Sequence, residues 1–182
     1  MTQPMADFET AVEKLIEIEG GFSPRDNSAG AVNFGITQYF LELISRPHSA
    51  EDVKALTKAD AKEIYREYFW RKFRLGGLLS QRMADAVLIC LVNTDPQEVI
   101  YALHESLEAA GRPVVFHQAA KQDRIMGLIT IGALNCLTET QRDNLLADFK
   151  RRMVKYYESL AEEKPAEFSD DLGGWKNRVE KL

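Results

Sequence analysis

Apolar residues recur along the chain at intervals of three or four positions. The first such group is Phe8, Val12, Leu15 and Ile16. This interval places side chains on one face of an α-helix, so the pattern predicts an amphipathic helix from about Met5 to Ile18. Glu19 follows directly at the end of that helix.

The same spacing predicts helices through most of the remaining sequence. They are expected at about 37–44, 57–73, 81–93, 96–110 and 138–163, with a short helix inside 123–137 and a last helix from Asp170 or Asp171, after Pro165 stops the long one. The segment 81–93 is apolar on all sides, which is typical of a central helix. Residues 20–36 are rich in glycine and polar residues and predict a short β-hairpin. The expected fold class is mainly α with this one hairpin.

Composition limits the possible functions. The chain has 182 residues, 45% of them hydrophobic, which is enough for one well-formed core. The net charge is −5 and there is no strongly basic stripe, so a nucleic-acid partner is not expected. The histidines are isolated and the cysteines, Cys90 and Cys136, lie in apolar runs, so neither a metal site nor a cofactor is predicted.

The sequence also shows no recognisable export signal. The first nine residues lack a basic region followed by an apolar core, and no apolar run is long enough to cross a bilayer. The sequence therefore predicts synthesis in the cytoplasm without an integral membrane segment. Action on a cell wall would need another route of export or release.

Glu19 is the clearest candidate for a catalytic residue. The C-terminal end of a helix carries partial negative charge, which disfavours ionisation of a nearby carboxylate. Gly20 and Gly21 allow the chain to leave the helix in a left-handed turn. A carboxylic acid that keeps its proton beside a cleft can protonate a glycosidic oxygen. The simpler interpretation is a helix end with an exposed glutamate.

Two short segments carry a family resemblance. Glu19-Gly20-Gly21-Phe22-Ser23 and Asn33-Phe34-Gly35-Ile36-Thr37 resemble the signature of glycoside hydrolase family 108, the bacterial and phage N-acetylmuramidases. Later positions that resemble the family are Tyr65, Tyr68, Trp70, Asp85, Asn93, the turn 123–130 and Gly174-Trp175-Lys176-Asn177-Arg178-Val179. The resemblance implies a lysozyme-like catalytic region at 1–92 and a helical, peptidoglycan-binding-like region at 93–182, packed together as one compact unit.

The resemblance also implies a function. A phage-endolysin-type muramidase cleaves the MurNAc–GlcNAc β-1,4 bond of peptidoglycan glycan strands at the cell wall or in the periplasm. Glu19 is then the general acid and Asp26 the candidate base. The residues implied to line the cleft are Asn33, Thr37, Tyr65 and Trp70.

The chain departs from the family pattern where water is positioned. Asn27 and Val32 stand where the pattern has an aspartate and a threonine, and valine cannot bind water through its side chain. Three interpretations follow: Asp26 serves as base, Glu19 acts alone as in lytic transglycosylases, or the protein binds peptidoglycan without cleaving it, for example as a secretion accessory. A helical interaction module without a sugar role is a weaker alternative. Arg124 replaces a family glycine, which weakens the glycan-binding assignment of that turn.

Overall fold

The computed structural model describes residues 5–24, 30–112 and 126–180 of the chain. Within these ranges the structure is mainly helical, and the α-helices are α1 (Phe8–Glu19), α2 (Gln38–Leu43), α3 (Ala50–Ala55), α4 (Lys58–Tyr65), α5 (Gln81–Asn93), α6 (Pro96–Ala109), α7 (Leu128–Asn135), α8 (Glu139–Glu163) and α9 (Pro165–Glu180). A π-helical turn spans Arg66–Arg71, and a 3-10 turn spans Leu75–Gly77. The predicted mainly α fold class is confirmed. No described helix is both long and apolar enough to cross a membrane.

α1 begins and ends as its sequence dictates. The side chain of Asp7 accepts a hydrogen bond from the backbone N–H of Thr10 and so caps the first turn. The buried residues of the helix are Phe8, Ala11, Val12, Leu15 and Ile16. This stripe packs α1 against α5. Gly20 ends the helix with φ 76° and ψ −162°, a conformation that glycine adopts readily but that differs from the left-handed helical turn predicted.

α5 is the central helix, as its all-apolar sequence predicts. Nine consecutive residues from Met83 to Leu91 are buried in it. It packs against α1 on one side and against α6, α8 and α9 on the others. The helices of the C-terminal half therefore share one hydrophobic core with the helices of the N-terminal half.

The predicted hairpin is present but short. Strand β1 (Val32–Asn33) pairs antiparallel with strand β2 (Ile36–Thr37), and Ser23 forms a further antiparallel bridge to Val32. The turn between the strands is Phe34-Gly35, with φ 52° and 79°. Positive φ at both positions is what a type I′ turn requires, so the strands can follow each other with only two residues between them.

Several helix boundaries differ from those predicted. α3 was not expected, although Ser49 and Asp52 form a complete capping box at its start. The helix expected at 57–73 is regular only to Tyr65 and then widens into the π-helical turn. Pro165 does end α8, but it is also the first residue of α9, because proline has no N–H to satisfy in a first helical turn.

Candidate active site

The carboxylate of Glu19 lies on the core-facing side of α1. Residues 8, 12, 15, 16 and 19 follow one helical stripe, so Glu19 continues the row of buried apolar side chains by one more turn. Its side chain is only 6% exposed. A buried carboxylate requires polar partners, and Glu19 has one on each of its oxygens.

The first partner is Asn93, the last residue of α5. Its side-chain Nδ2 donates to Oε1 of Glu19 at 3.1 Å and to the backbone carbonyl of Ile89 at 2.8 Å. The second bond ties the amide to its own helix. Asn93 therefore approaches the carboxylate in a fixed orientation.

The second partner is Arg178, near the end of α9. Its Nη2 donates to Oε2 of Glu19 at 3.2 Å, and the two residues form an ion pair across 159 positions of sequence. The guanidinium-bearing side chain is itself 22% exposed. The expectation built on the helix end alone omitted this positive group.

The β-hairpin turn packs directly against Glu19. A Cβ atom placed on Gly35 would lie 2.6 Å from the hydroxyl of Tyr65 and 2.7 Å from Cγ of Glu19. Only a residue without a side chain fits there. Tyr65 fixes the same turn, because its hydroxyl donates to the backbone carbonyl of Phe34 at 2.7 Å. The family segment Asn33–Thr37 thus closes one side of the site through its backbone.

The pKa of Tyr65 reflects the same surroundings. Burial raises the pKa of Tyr65 well above its usual value, the charge of Glu19 raises this pKa further, and the charge of Arg178 lowers it. Burial also raises the pKa of the Cys90 thiol to about 12, while a hydrogen bond with Tyr157 lowers it. Both groups therefore stay protonated at neutral pH.

Two predicted cleft residues have roles within the fold. The amide of Asn33 is buried and donates toward the backbone carbonyls of Val53, Lys54 and Leu56, at distances of 3.2 to 3.4 Å. It therefore satisfies the end of α3. The hydroxyl of Thr37 accepts from the N–H of Phe40 and caps α2. Contact of either residue with a sugar stays a prediction.

Trp70, which was also predicted to line the cleft, lies near the start of α1 rather than beside Glu19, and its contact with a sugar stays a prediction. Its ring packs edge-on against Phe8, with ring centroids 5.5 Å apart. Phe8 begins α1 and Glu19 ends it, so roughly 16 Å of helix separates the two positions. Trp70 is also 7% exposed, as expected for a core aromatic.

The predicted base, Asp26, lies outside the described residues, as does most of the turn 123–130. The described end of that turn is used in packing: Thr130 is fully buried, and its hydroxyl lies 3.2 Å from Nε2 of His104. Val32 is in β1, where its backbone exchanges two hydrogen bonds with Ser23. An apolar side chain therefore occupies the position of the family's water-binding threonine.

Sequence reasoning missed two contributors to the site. Asn93 and Arg178 belonged to family-like segments, but neither was predicted to touch Glu19. The available signal was their polarity: an amide at the end of an apolar helix and an arginine next to buried Val179 both need polar partners. Among the described residues, no group of three or more potential metal ligands occurs.

A separate described pocket lies between α2, α3 and α4. Its volume is about 220 Å³, and its lining residues are Leu41, Arg46, Pro47, Asp52, Ala55, Leu56 and Asp60. Glu19 and its described partners do not line this pocket. We therefore take the polar cluster of Glu19, Asn93, Tyr65 and Arg178, rather than the pocket, as the candidate site.

Part of this cluster lies in a segment that matches a known protein family. Residues 12–94 match the family model of glycosyl hydrolase 108, which confirms the predicted resemblance. The matched range includes Glu19, Tyr65 and Asn93 but ends before Arg178. The comparison with curated protein sequences gave no match.

A solved structure extends the likeness to the whole chain. The structure of SagA from Brucella abortus aligns over 94% of this chain and 92% of its own, with a TM-score of 0.68 and 22% sequence identity. At that identity the similarity concerns the fold. It includes the C-terminal helices, which the family match does not reach, and the predicted lysozyme-like helical fold is confirmed. A peptidoglycan-binding role for residues 93–182 stays a prediction.

Proposed function

We propose that this protein is a peptidoglycan-cleaving N-acetylmuramidase with Glu19 as its general acid. The observation that carries the proposal is the burial of the Glu19 carboxylate, at 6% exposure, inside a segment of a glycosyl hydrolase family. Active sites often hold a carboxyl group buried among fixed polar partners. The site of action would be the cell wall, reached by export or release.

The reaction requires one proton from Glu19. The bond between C1 of the MurNAc unit and the bridging oxygen breaks, its electron pair stays on that oxygen, and the oxygen takes the Glu19 proton. Water then adds to C1 and gives up a proton to a second carboxylate, which is the base of the mechanism. Asp26 is our candidate for that base.

Each oxygen of Glu19 has two acceptor positions, and its described partners use one on each. The acid can therefore hold a proton on one oxygen while the other still accepts from Asn93. Once the proton has left, Asn93 and Arg178 stabilise the carboxylate that remains. The arrangement supports both states that a general acid must adopt.

Lytic transglycosylase chemistry is the second candidate, and Val32 favours it. A single-Glu enzyme does not need a positioned water molecule, because a hydroxyl group of the sugar attacks C1. The valine at the water-binding position, half-buried in β1, is compatible with that route.

Mass spectrometry of the products distinguishes these outcomes. Purified peptidoglycan is incubated with the wild-type protein and with Glu19→Gln, and the released muropeptides are analysed. We expect reducing MurNAc ends from the wild type and none from the variant. Anhydro-MurNAc ends would mean that the protein is a lytic transglycosylase and not a hydrolase. If the polymer stays intact and the protein sediments with it, the protein binds peptidoglycan without cleaving it.

A further inference from the structure

We propose that Arg178 is a positioning residue for Glu19, so that the C-terminal helix α9 forms part of the active site. This proposal rests on the proposed function of Glu19. Its starting observation is the contact of Arg178 Nη2 with Glu19 Oε2 at 3.2 Å. The family match ends at residue 94, so the segment that carries Glu19 lacks this partner when taken alone.

α9 is fixed in a way that suits such a role. It packs against both α8 and α5, and Val179 is buried in the core with 2% exposure. Lys176 forms an ion pair with Glu158 of α8 at 2.5 Å. Arg178 therefore comes from a helix held on two sides, and it does not need to be ordered by the substrate.

The two partners fix the plane of the carboxyl group. Asn93 from α5 holds Oε1 and Arg178 from α9 holds Oε2, so rotation about the last side-chain bond of Glu19 would break both contacts. An acid held in one orientation reaches the glycosidic oxygen without a further loss of conformational freedom.

Arg178 also distinguishes between the two states of Glu19. A guanidinium group interacts more strongly with a carboxylate than with a neutral carboxylic acid. Negative charge develops on Glu19 as its proton moves to the leaving oxygen. The contact therefore stabilises the transition state more than the ground state, which raises kcat rather than substrate affinity.

The opposite role is a restraint: Arg178 could hold Glu19 in an ion pair that must open before proton transfer. The two roles predict opposite effects of removing the guanidinium. A positioning residue that is removed lowers kcat, whereas a restraint that is removed increases it. The fixed α9 and the fixed Asn93 favour positioning, since both hold the carboxyl group of Glu19 from helices that pack in the core.

The test uses the full chain and soluble, uncross-linked peptidoglycan glycan strands, with kcat and KM measured separately. Arg178→Met is expected to lower kcat about 100-fold with KM within about twofold of the wild type, the scale of losing one donor to a developing anion. Arg178→Lys restores a single charged donor and should give an intermediate kcat. Lys176→Met is the matched control, because it loses an α9 ion pair that does not reach Glu19.

The outcomes separate this proposal from the one on which it rests. Active wild type with Arg178→Met at or above the wild-type kcat overturns the role of Arg178 alone. Equal losses in Arg178→Met and Lys176→Met also overturn it, because they would mark a general effect of loosening α9. Inactive wild type overturns the muramidase assignment together with this role. Arg178→Gln, which keeps a polar side chain, replaces Arg178→Met in every comparison where thermal unfolding shows that the methionine variant is not folded at the assay temperature.

Discussion

α1 carries two kinds of ion pair, and they differ in almost every respect. On its exposed face, Glu9 and Glu13 pair with Lys58, Lys62 and Arg66 around the neighbouring α4. At its end, Glu19 pairs with Arg178 of α9 and with the amide of Asn93, at 6% side-chain exposure.

The exposed network is redundant. Lys62 contacts both Glu9 and Glu13, and these bonds lower the pKa of both carboxyl groups. Water and salt can replace each contact, so such pairs contribute little to stability. The Glu19 side chain is largely shielded from solvent, and its partners come from helices far apart in the sequence. The comparison shows that the candidate site is marked by burial and by partners from distant helices. The number of ion pairs does not mark it.

The largest effect is expected from filling the space between the hairpin and Glu19. Gly35→Ala places a methyl group 2.7 Å from Cγ of Glu19 at a backbone φ of 79°, so both strain and overlap destabilise the fold. We expect a loss of about 3 kcal/mol in the free energy of unfolding, together with loss of glycan cleavage. Urea unfolding monitored by circular dichroism measures the first effect.

Gly20→Ala is the matched control for Gly35→Ala. Gly20 has a similar φ of 76°, but a Cβ there would meet no atom within 4 Å. It should cost only the backbone strain, roughly 1–3 kcal/mol, and less than Gly35→Ala because no atoms overlap. Equal losses in the two variants would contradict close packing of the turn on Glu19.

The partly buried ring of His104 should make the stability of the fold depend on pH. Burial lowers the pKa of His104 to about 4, and its ring lies 3.2 Å from the hydroxyl of Thr130. In the unfolded chain this pKa is about 6.5, so between pH 6.5 and 4 the unfolded state binds a proton that the folded state does not. The stability contributed by neutral His104 is complete above pH 6.5 and decreases as the pH falls to 4.

The expected decrease from His104 is up to about 2 kcal/mol, after allowance for the exposed part of its side chain. Urea unfolding at pH 7.5 and pH 4.5 measures it as a difference between the wild type and His104→Gln, which removes the titration of His104 and leaves the other groups in place. If both proteins lose the same stability, His104 is not held neutral in the fold.

The smallest effect is expected in the exposed network. Lys62→Met removes contacts to Glu9 and Glu13, but both carboxylates keep another described cation, Arg66 and Lys58 respectively. We expect no measurable shift in the thermal unfolding midpoint in 0.15 M salt and no change in glycan cleavage. A clear loss of cleavage in this variant would mean that the two groups of ion pairs on α1 are coupled.

Most of the fold could be predicted because it depends on local rules. The stripe of α1, the apolar α5 and the capping residue Thr138 of α8 each specify an element within one or two helical turns of sequence. α3 was missed because six residues are too few for periodicity to identify a helix. The start of α9 was misplaced because proline ends one helix and begins the next equally well.

The candidate site could be predicted only in part, for a different reason. Glu19 could be predicted because the features that single it out, a helix end and two glycines, are adjacent to it in the sequence. Arg178 and Asn93 approach it from 159 and 74 positions away, and long-range contacts of this kind depend on how helices pack. For Trp70 the structure shows packing against Phe8, and contact with a sugar stays a prediction.

The most direct test of the central claim compares two glutamates on one helix. Glu19→Gln keeps the shape of the side chain but cannot supply the proton, whereas Glu13→Gln makes the same change in the exposed network of α1. We predict that the initial rate of turbidity loss of purified peptidoglycan falls about 1000-fold for Glu19→Gln and stays at the wild-type value for Glu13→Gln. A wild-type rate for Glu19→Gln would contradict the account.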